Sequence, residues 1–562
     1  MGRSGCSSNK AHRPSSQFSV NNKQYFFMKR SFFALLGLLS LGAVRSNAQS
    51  GAGKDSRPNI LIIVSDDHAY QSIGTYGSPY GATPNIDRLA SEGATYYNAF
   101  VTNSLCGPSR ACLLTSKYSN LNGFKDNFSR FDPAQPTFAS HLTAAGYQTA
   151  WIGKWHLGSL PQHFSYFNIV PEQGFYYNPD FIDMNDDTTR KDGYITNVIT
   201  DLSENWLKNR DTTKPFCLVI GEKATHRTWI PDTADFGAFD HVKFPLPDDF
   251  YDNYKDRYAG QVNNMNIAHT MRLGYDLKME ADTGFGKENY TRFTPSQSAY
   301  FHHYYDSIYA DFKGRNLKGN ALTEWKFQRY MRDYYATVLS LDRNIGRIVD
   351  FIDKSGLGKN TIVIYTSDQG MYLGEHGWFD KRFIYDQSMK TPLVIRYPEL
   401  IKPGTKDSSM VMLLDMAPTF MQLAGEKIPA DMQGKSLIPV FKGQGKNFRK
   451  EVFYHYYEYP NEHNALPHFG LRTERYVLVR FYKPSEAWKN KMVDEGSLII
   501  DTYNPKDYWE LYDLKSDPEE MHNIYDARKN TPLVKKLKAD MEKLMLQYKQ
   551  TDAEDILAGK DR

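Results

Sequence analysis

The chain of 562 residues carries 68 Lys and Arg against 65 Asp and Glu, with 41% apolar residues. That is enough length and apolar content for one large domain plus a smaller one, and it excludes a disordered chain. Residues 1–48 hold seven basic residues and no acid; beyond them 61 basic residues face 65 acidic ones, a balance of −4 that removes the electrostatic case for nucleic acid.

In chain order, Lys29-Arg30, the apolar run Phe32 to Val44 and the small residues Ser46-Asn47-Ala48 read as a secretory signal peptide, with Met28 as its start. An exported protein, periplasmic or extracellular, is expected. The apolar run is too short to span a bilayer, and no later stretch reaches 18 apolar residues, so no membrane span is expected. Three cysteines follow the signal, Cys106, Cys112 and Cys217, too few for a disulfide scaffold.

Apolar runs of strand length then alternate with helical patterns, which predicts an α/β fold with a large mixed, mostly parallel sheet sandwiched by helices. The predicted strands are Ile60–Val64, Thr149–Ile152, Phe216–Ile220, Thr361–Tyr365 and Pro392–Ile395. The predicted helices are 84–93, with Pro84 in its first turn and Gly93 after its end, Phe138–Ala145 and Lys326–Ile352. Residues 230–325, polar and Tyr-rich, predict long loops and short helices over one face. A Pro- and Gly-rich stretch near 429–447 precedes Val452–Tyr456, Leu471–Arg475 and Tyr476–Phe481, a smaller antiparallel sheet, and Leu533–Tyr548 reads as an amphipathic terminal helix. The organisation expected is an N-terminal extension and signal (1–48), a catalytic domain (55–440) and a C-terminal α+β subdomain (445–555).

In open α/β sheets, function gathers beyond the carboxyl ends of strands. Here Ile60–Val64 runs into Ser65-Asp66-Asp67-His68, Thr149–Ile152 into Gly153-Lys154-Trp155-His156, Phe216–Ile220 into Lys223-Ala224-Thr225-His226, and Thr361–Tyr365 into Ser367-Asp368-Gln369-Gly370. One Asp after a strand is usually a turn or cap; four polar clusters at one edge point to a site. Asp66, Asp67, Asp368 and Gln369 offer only oxygen, the donor set of a hard divalent cation such as calcium. Cys112 and Cys217 read as small buried hydrophobes.

Cys106 differs, because Cys106-Gly107-Pro108-Ser109-Arg110 matches the Cys-x-Pro-x-Arg signature for oxidation to formylglycine. With Asp-Asp, Gly-Lys-x-His and Ser-Asp-Gln-Gly in order, residues 57–527 resemble the type I sulfatases of the alkaline phosphatase superfamily. The resemblance implies Cys106 as formylglycine precursor, modified by a sulfatase-maturing enzyme before folding, and Asp66, Asp67, Asp368 and Gln369 as ligands of Ca2+ beside it. Many members have Asn where Gln369 stands, which keeps the amide oxygen. It further implies Arg110 as the group steadying the modified side chain, and Lys154, His156, His226 and Lys381 around the sulfate.

The segments Leu373 to Ser388 and His468 to Tyr476 look most like bacterial N-acetylglucosamine-6-sulfatases, and part is shared with iduronate-2-sulfatases and choline sulfatases. Asp380 and Arg382 bracket Lys381, an acceptor and a forked donor suited to sugar hydroxyls; a mutual surface ion pair is the competing reading. His468 is expected to reach in from the smaller domain. The function implied is hydrolysis of a sulfate monoester on a glycan, the 6-O-sulfate of N-acetylglucosamine from glycosaminoglycan or mucin glycans. The alternatives are another glycan sulfatase, a phosphodiesterase or phosphonate hydrolase of the same superfamily, and a non-enzymatic glycan-binding protein, against which the intact Cys106, Asp66, Asp67, Asp368, Lys154 and His156 argue.

Overall fold

The computed structural model describes residues 55–279, 287–494 and 505–560; the expected signal segment lies outside them. The main sheet contains, in chain order, Asn59–Ser65 (β1), Ala94–Tyr96 (β2), Gln148–Lys154 (β3), Tyr166–Val170 (β4), Asp180–Ile182 (β5), Thr188–Arg190 (β6), Phe216–Gly221 (β7), Thr361–Ser367 (β8), Leu393–Arg396 (β9) and Thr405–Asp407 (β10). Their order across the sheet is β10-β2-β9-β8-β1-β7-β3-β4-β5-β6. From β8 to β4 the strands run parallel. β9 opposes both of its neighbours, which makes the sheet mixed.

β1 shows why the sheet sits in the middle. Its sequence NILIIVS is buried at every position, as a strand covered on both faces requires. Ile60, Ile62 and Val64 point into one core, Leu61 and Ile63 into the other. The longer helices are, in chain order, Pro84–Ser91 (α1), Cys106–Thr115 (α2), Phe138–Ala144 (α3), Ile195–Asn209 (α4), Pro295–Arg315 (α5), Gly319–Lys354 (α6), Met416–Leu423 (α7) and Pro532–Gln547 (α8). α2, α3 and α7 pack on the first face. α1, α4 and the second half of α6 pack on the other.

Two expectations are corrected here. The 230–325 stretch contains α5, 21 residues long, and α6 begins at Gly319 rather than Lys326. α5 starts at a capping box in which Thr294 and Gln297 satisfy each other's backbone N–H, with Pro295 at the first turn. It buries only Phe301 and Tyr305 along its length, so no continuous apolar stripe marks it in the sequence.

The smaller sheet is an antiparallel meander of Glu451–Tyr456 (β11), His468–Thr473 (β12), Tyr476–Phe481 (β13) and Tyr508–Asp513 (β14). β12 lies earlier than the expected Leu471–Arg475: Glu474 and Arg475 form the hairpin turn, where Thr473 Oγ1 accepts from the N–H groups of Arg475 and Tyr476. β14 was not expected as a strand. α8 lays Val534, Leu537, Met541 and Met545 against the core of this sheet. Among the described residues no helix is long and apolar enough to cross a membrane.

Register aligns the strand ends. Ser65 pairs with Ser367, Val64 with Gly221, and Gly153 with Gly221. β3 and β7 approach so closely that a Cβ on Gly153, whose φ is +98°, would lie 2.1 Å from the Gly221 carbonyl oxygen. Gly153→Ala is therefore expected to destabilise the fold by roughly 3 kcal/mol or more, through overpacking against backbone and a left-handed φ. A thermal melt at the wild-type temperature would contradict this account.

Candidate active site

Five adjacent parallel strands end at one basin, and each delivers polar groups to it. The shared register of β1 and β8 sets Asp66-Asp67 beside Asp368-Gln369. Asp368 N–H donates to the Ser65 carbonyl at 3.1 Å, and Asp67 N–H donates to Asp368 Oδ1 at 3.2 Å. Asp67 adopts a left-handed φ of 60° at this strand end. Asp66, Asp67, Asp368 and Gln369 are each at most 1% exposed. Ligand atoms of Asp66, Asp67, Cys106 and His226 all lie within 4.8 Å of one another.

Buried carboxylates this close repel unless cations hold them. Lys154 Nζ donates to Asp66 Oδ2 and to Gln173 Oε1. Lys381 Nζ donates to Asp67 Oδ2 at 2.6 Å. Arg110 meets Asp368 Oδ2 through Nε and Nη2, both at 2.9 Å, and donates from Nη1 to the Lys154 carbonyl. Against its burial, Asp66 is held well below the usual carboxylate range chiefly by Lys154. Burial and the neighbouring Asp66 push Asp368 up to about 7 in spite of Arg110. Asp66 Oδ1 and the Gln369 amide oxygen are buried without a hydrogen-bond partner, while the Gln369 amide nitrogen donates to Asp67 Oδ1. Three carboxylates, an amide that can turn its oxygen inward and two orphaned oxygens fit a hard cation.

Cys106 opens α2, at the positive end of that helix. All ten residues of α2 are buried. Gln369 Nε2 lies 3.5 Å from Cys106 Sγ. Burial, and then the charge of Asp66, push the thiol well above its ordinary pKa, which favours the neutral form. Cys112 and Cys217 are also free and buried, as expected.

The two histidines stand on either side. His156 Nε2 faces the Gln173 amide nitrogen at 3.0 Å, and burial together with Lys154 holds the ring neutral. His226 Nδ1 is 2.6 Å from the Arg227 carbonyl, which leaves Nε2 facing Asp67 Oδ2 at 3.8 Å. Burial again favours the neutral ring.

Gln173 has no precedent in the sequence reading. It sits in the turn after β4, a five-residue strand whose apolar run is broken by Asn168, and it also accepts Lys223 Nζ on its carbonyl at 3.0 Å. Lys223, quoted among the strand-end residues without a role, lies over the Tyr176 ring. Burial and Lys154 bring its pKa down to about 7.

At the outer rim, Asp380 and Arg382 pair as the competing reading held, yet they are buried rather than at the surface. Arg382 Nε donates to Asp380 Oδ1 at 3.0 Å, and Nη1 donates to Glu458 Oε1 at 2.7 Å and to Tyr456 Oη at 3.2 Å. His463 Nε2 stands 3.4 Å from Asp380 Oδ2. Working against burial, His463, Lys381 and Arg382 keep Asp380 well below its ordinary pKa.

The expectation for His468 is corrected. Its ring is fully buried in the smaller sheet, Nε2 accepts from the Ile384 N–H at 3.1 Å, and Nδ1 meets the Leu466 carbonyl at 2.8 Å. With both nitrogens engaged by backbone and burial lowering its pKa to about 3, it braces the rim segment instead of reaching a substrate. The rim histidine is His463, five residues earlier.

Residues 58–426 match the sulfatase family, and residues 374–496 and 492–547 match the C-terminal region of N-sulphoglucosamine sulphohydrolase. The chain is 42% identical over 545 residues to an N-acetylglucosamine-6-O-sulfatase of Bacteroides thetaiotaomicron, covering 94% of this chain and 93% of that protein. The solved structure of BT4656 in complex with its substrate D-glucosamine-2-N,6-O-disulfate superposes with a TM-score of 0.82 at 43% identity, over 88% of this chain and 99% of that one. A phosphonate monoester hydrolase of Agrobacterium radiobacter, at 18% identity and a TM-score of 0.61 over 88% of this chain and 96% of that one, shares the fold alone. Likeness that runs almost end to end, through the strand ends that build the basin, means that the chain belongs to the sulfatase family and is a sulfuric ester hydrolase.

Proposed function

We propose that this chain is an exported sulfatase that removes the 6-O-sulfate of N-acetylglucosamine in glycosaminoglycan or mucin glycans, with residue 106 working as formylglycine. The observation that carries the reading is the basin's charge pattern, in which Lys154 and Lys381 stand beside the residue 106 side chain over three buried carboxylates. The substrate follows the relatives, one named for N-acetylglucosamine-6-O-sulfate and one bound to a 6-O-sulfated glucosamine. Export follows the pattern of residues 29–48.

The chemistry requires more than a thiol. A hydrated aldehyde at position 106 has two hydroxyls on one carbon. One attacks sulfur in line with the departing sugar oxygen. Lys154 and Lys381 bind the sulfate oxygens, and the positive end of α2 adds to their field. Lys381, or His226 in its doubly protonated form, protonates the leaving oxygen, since the neutral ring keeps its one proton on Nδ1 toward the Arg227 carbonyl. The second hydroxyl then loses its proton to His156, whose neutral ring suits a base, and sulfate is expelled as the aldehyde re-forms. A serine would remain trapped as a sulfate ester.

Asp66, Asp67, Asp368 and Gln369 would hold a calcium ion, which when bound supplies positive charge that offsets the carboxylates and favours an ionised hydroxyl at position 106. At the rim, Asp380 and Arg382 read the ring hydroxyls. Arg382 Nη2 makes no hydrogen bond among the described residues and is the donor left for a sugar.

Three outcomes are expected. The intact mass of active protein should be about 18 Da below that of the unmodified sequence after export processing, since an aldehyde replaces CH2SH; full activity with a thiol in every molecule would refute the mechanism. Chelation should abolish turnover and calcium restore it, and Asp66→Ala or Asp368→Ala should lose both activity and bound metal, read by metal analysis beside a thermal melt. Asp380→Ala and Arg382→Ala should each lose roughly 2–4 kcal/mol of transition-state binding for N-acetylglucosamine-6-sulfate and far less for a small aryl sulfate. Equal losses on both esters would make these residues part of the reacting centre, and preference for a 2-O-sulfated uronate would reassign the substrate.

A further inference from the structure

α2 lacks a side-chain cap of its own. Its N-cap position is Leu105, which offers no oxygen to the first N–H groups. The missing acceptor arrives from a distant loop: Gly107 N–H donates to Asn127 Oδ1 at 3.1 Å. Only glycine allows this approach, because a Cβ on residue 107 would lie 2.9 Å from that same oxygen and 2.4 Å from the Phe124 ring.

Asn127 is itself held from the other side. Its N–H donates to Glu458 Oε2 at 2.9 Å, and the second oxygen of Glu458 accepts Arg382 Nη1 at 2.7 Å. Glu458 is 3% exposed and follows β11 of the smaller sheet. Its backbone is fixed by Asn461, whose side-chain amide donates to the Glu458 carbonyl and to Tyr456 Oη. One carboxylate thus joins the rim arginine to the cap of the helix that begins with Cys106.

We infer that Glu458 is a positioning residue that couples the sugar-facing guanidinium of Arg382, through Asn127, to the placement of the residue 106 side chain. The coupling to sugar recognition rests on the reading of Arg382 given under the proposed function. A carboxylate suits the task because both its neighbours are donors. An amide in its place presents one acceptor and one donor, so one of the two links must break in a side chain of nearly the same shape.

The test is a set of double-mutant cycles on the full, matured enzyme, with N-acetylglucosamine-6-sulfate and an aryl sulfate as substrates. Glu458→Gln should lower kcat/KM on the sugar by roughly tenfold or more. In an Arg382→Ala background the same change should cost less than about twofold further, since the partner it acts through is gone. Asn127→Ala should lower kcat with little change in KM on both substrates, because the helix is common to both, and Glu458→Gln added to it should again cost less than about twofold on the aryl ester. Losses that multiply in both cycles, or a uniform loss that follows a fall in melting temperature, would overturn the inference. If the wild type cleaves the aryl ester but not this sugar, the substrate reading fails, while the Glu458 and Asn127 cycle on the aryl ester still decides the link to the helix.

Discussion

Everything at this centre answers to one electrostatic constraint. Parallel strands in matched register leave Asp66, Asp67 and Asp368 side by side where water is nearly absent. Like charges about 4 Å apart at a protein-like dielectric repel by about 4 kcal/mol, so the arrangement stands only with positive charge threaded through it. Lys154, Lys381 and Arg110 supply that charge from three different parts of the chain. The strand ends are therefore pinned to one another electrostatically as well as by the ladder. Lys154 and Lys381, which the proposed function assigns to the sulfate, are in the same geometry the counter-ions that keep the sheet edge intact.

Much of this was legible because buried parallel strands advertise themselves. β1, β7 and β8 are fully buried strands rich in Ile, Val and Leu, and each runs straight into polar residues. Shorter strands carry no such mark: β4 is interrupted by Asn168, which hid both the strand and Gln173 behind it. α5 was missed because it is wrapped in tyrosines and histidines with only two buried positions. The rim was harder for a different reason. His463 and His468 are both near-fully buried histidines in one segment, and only the backbone partners of His468 separate a brace from a group that faces Asp380.

The basin and the rim come from different layers. The basin belongs to the main sheet, whose central strands tolerate no register change. The rim hangs between that sheet and the smaller one: Asp380 and Arg382 adopt φ values of +96° and +100°, conformations that persist only where the surroundings over-determine them. Here Tyr456 and Glu458, on or just beyond β11, do so. Substitutions in the smaller sheet can therefore reach the rim directly and, through Glu458 and Asn127, the helix that begins with Cys106.

The complete burial of α2 sets a clock. On the proposed reading a modifying enzyme must reach residue 106 before that helix docks, so conversion to formylglycine would compete with the rate at which the chain closes. The loser of that race is permanent, because molecules that fold with an intact thiol hide it behind the same packing. If residue 106 is modified as proposed, a preparation would then be a mixture of two populations that differ at one side chain. Its specific activity would report the ratio of two rates during synthesis, a quantity that purification by shape or charge does not alter.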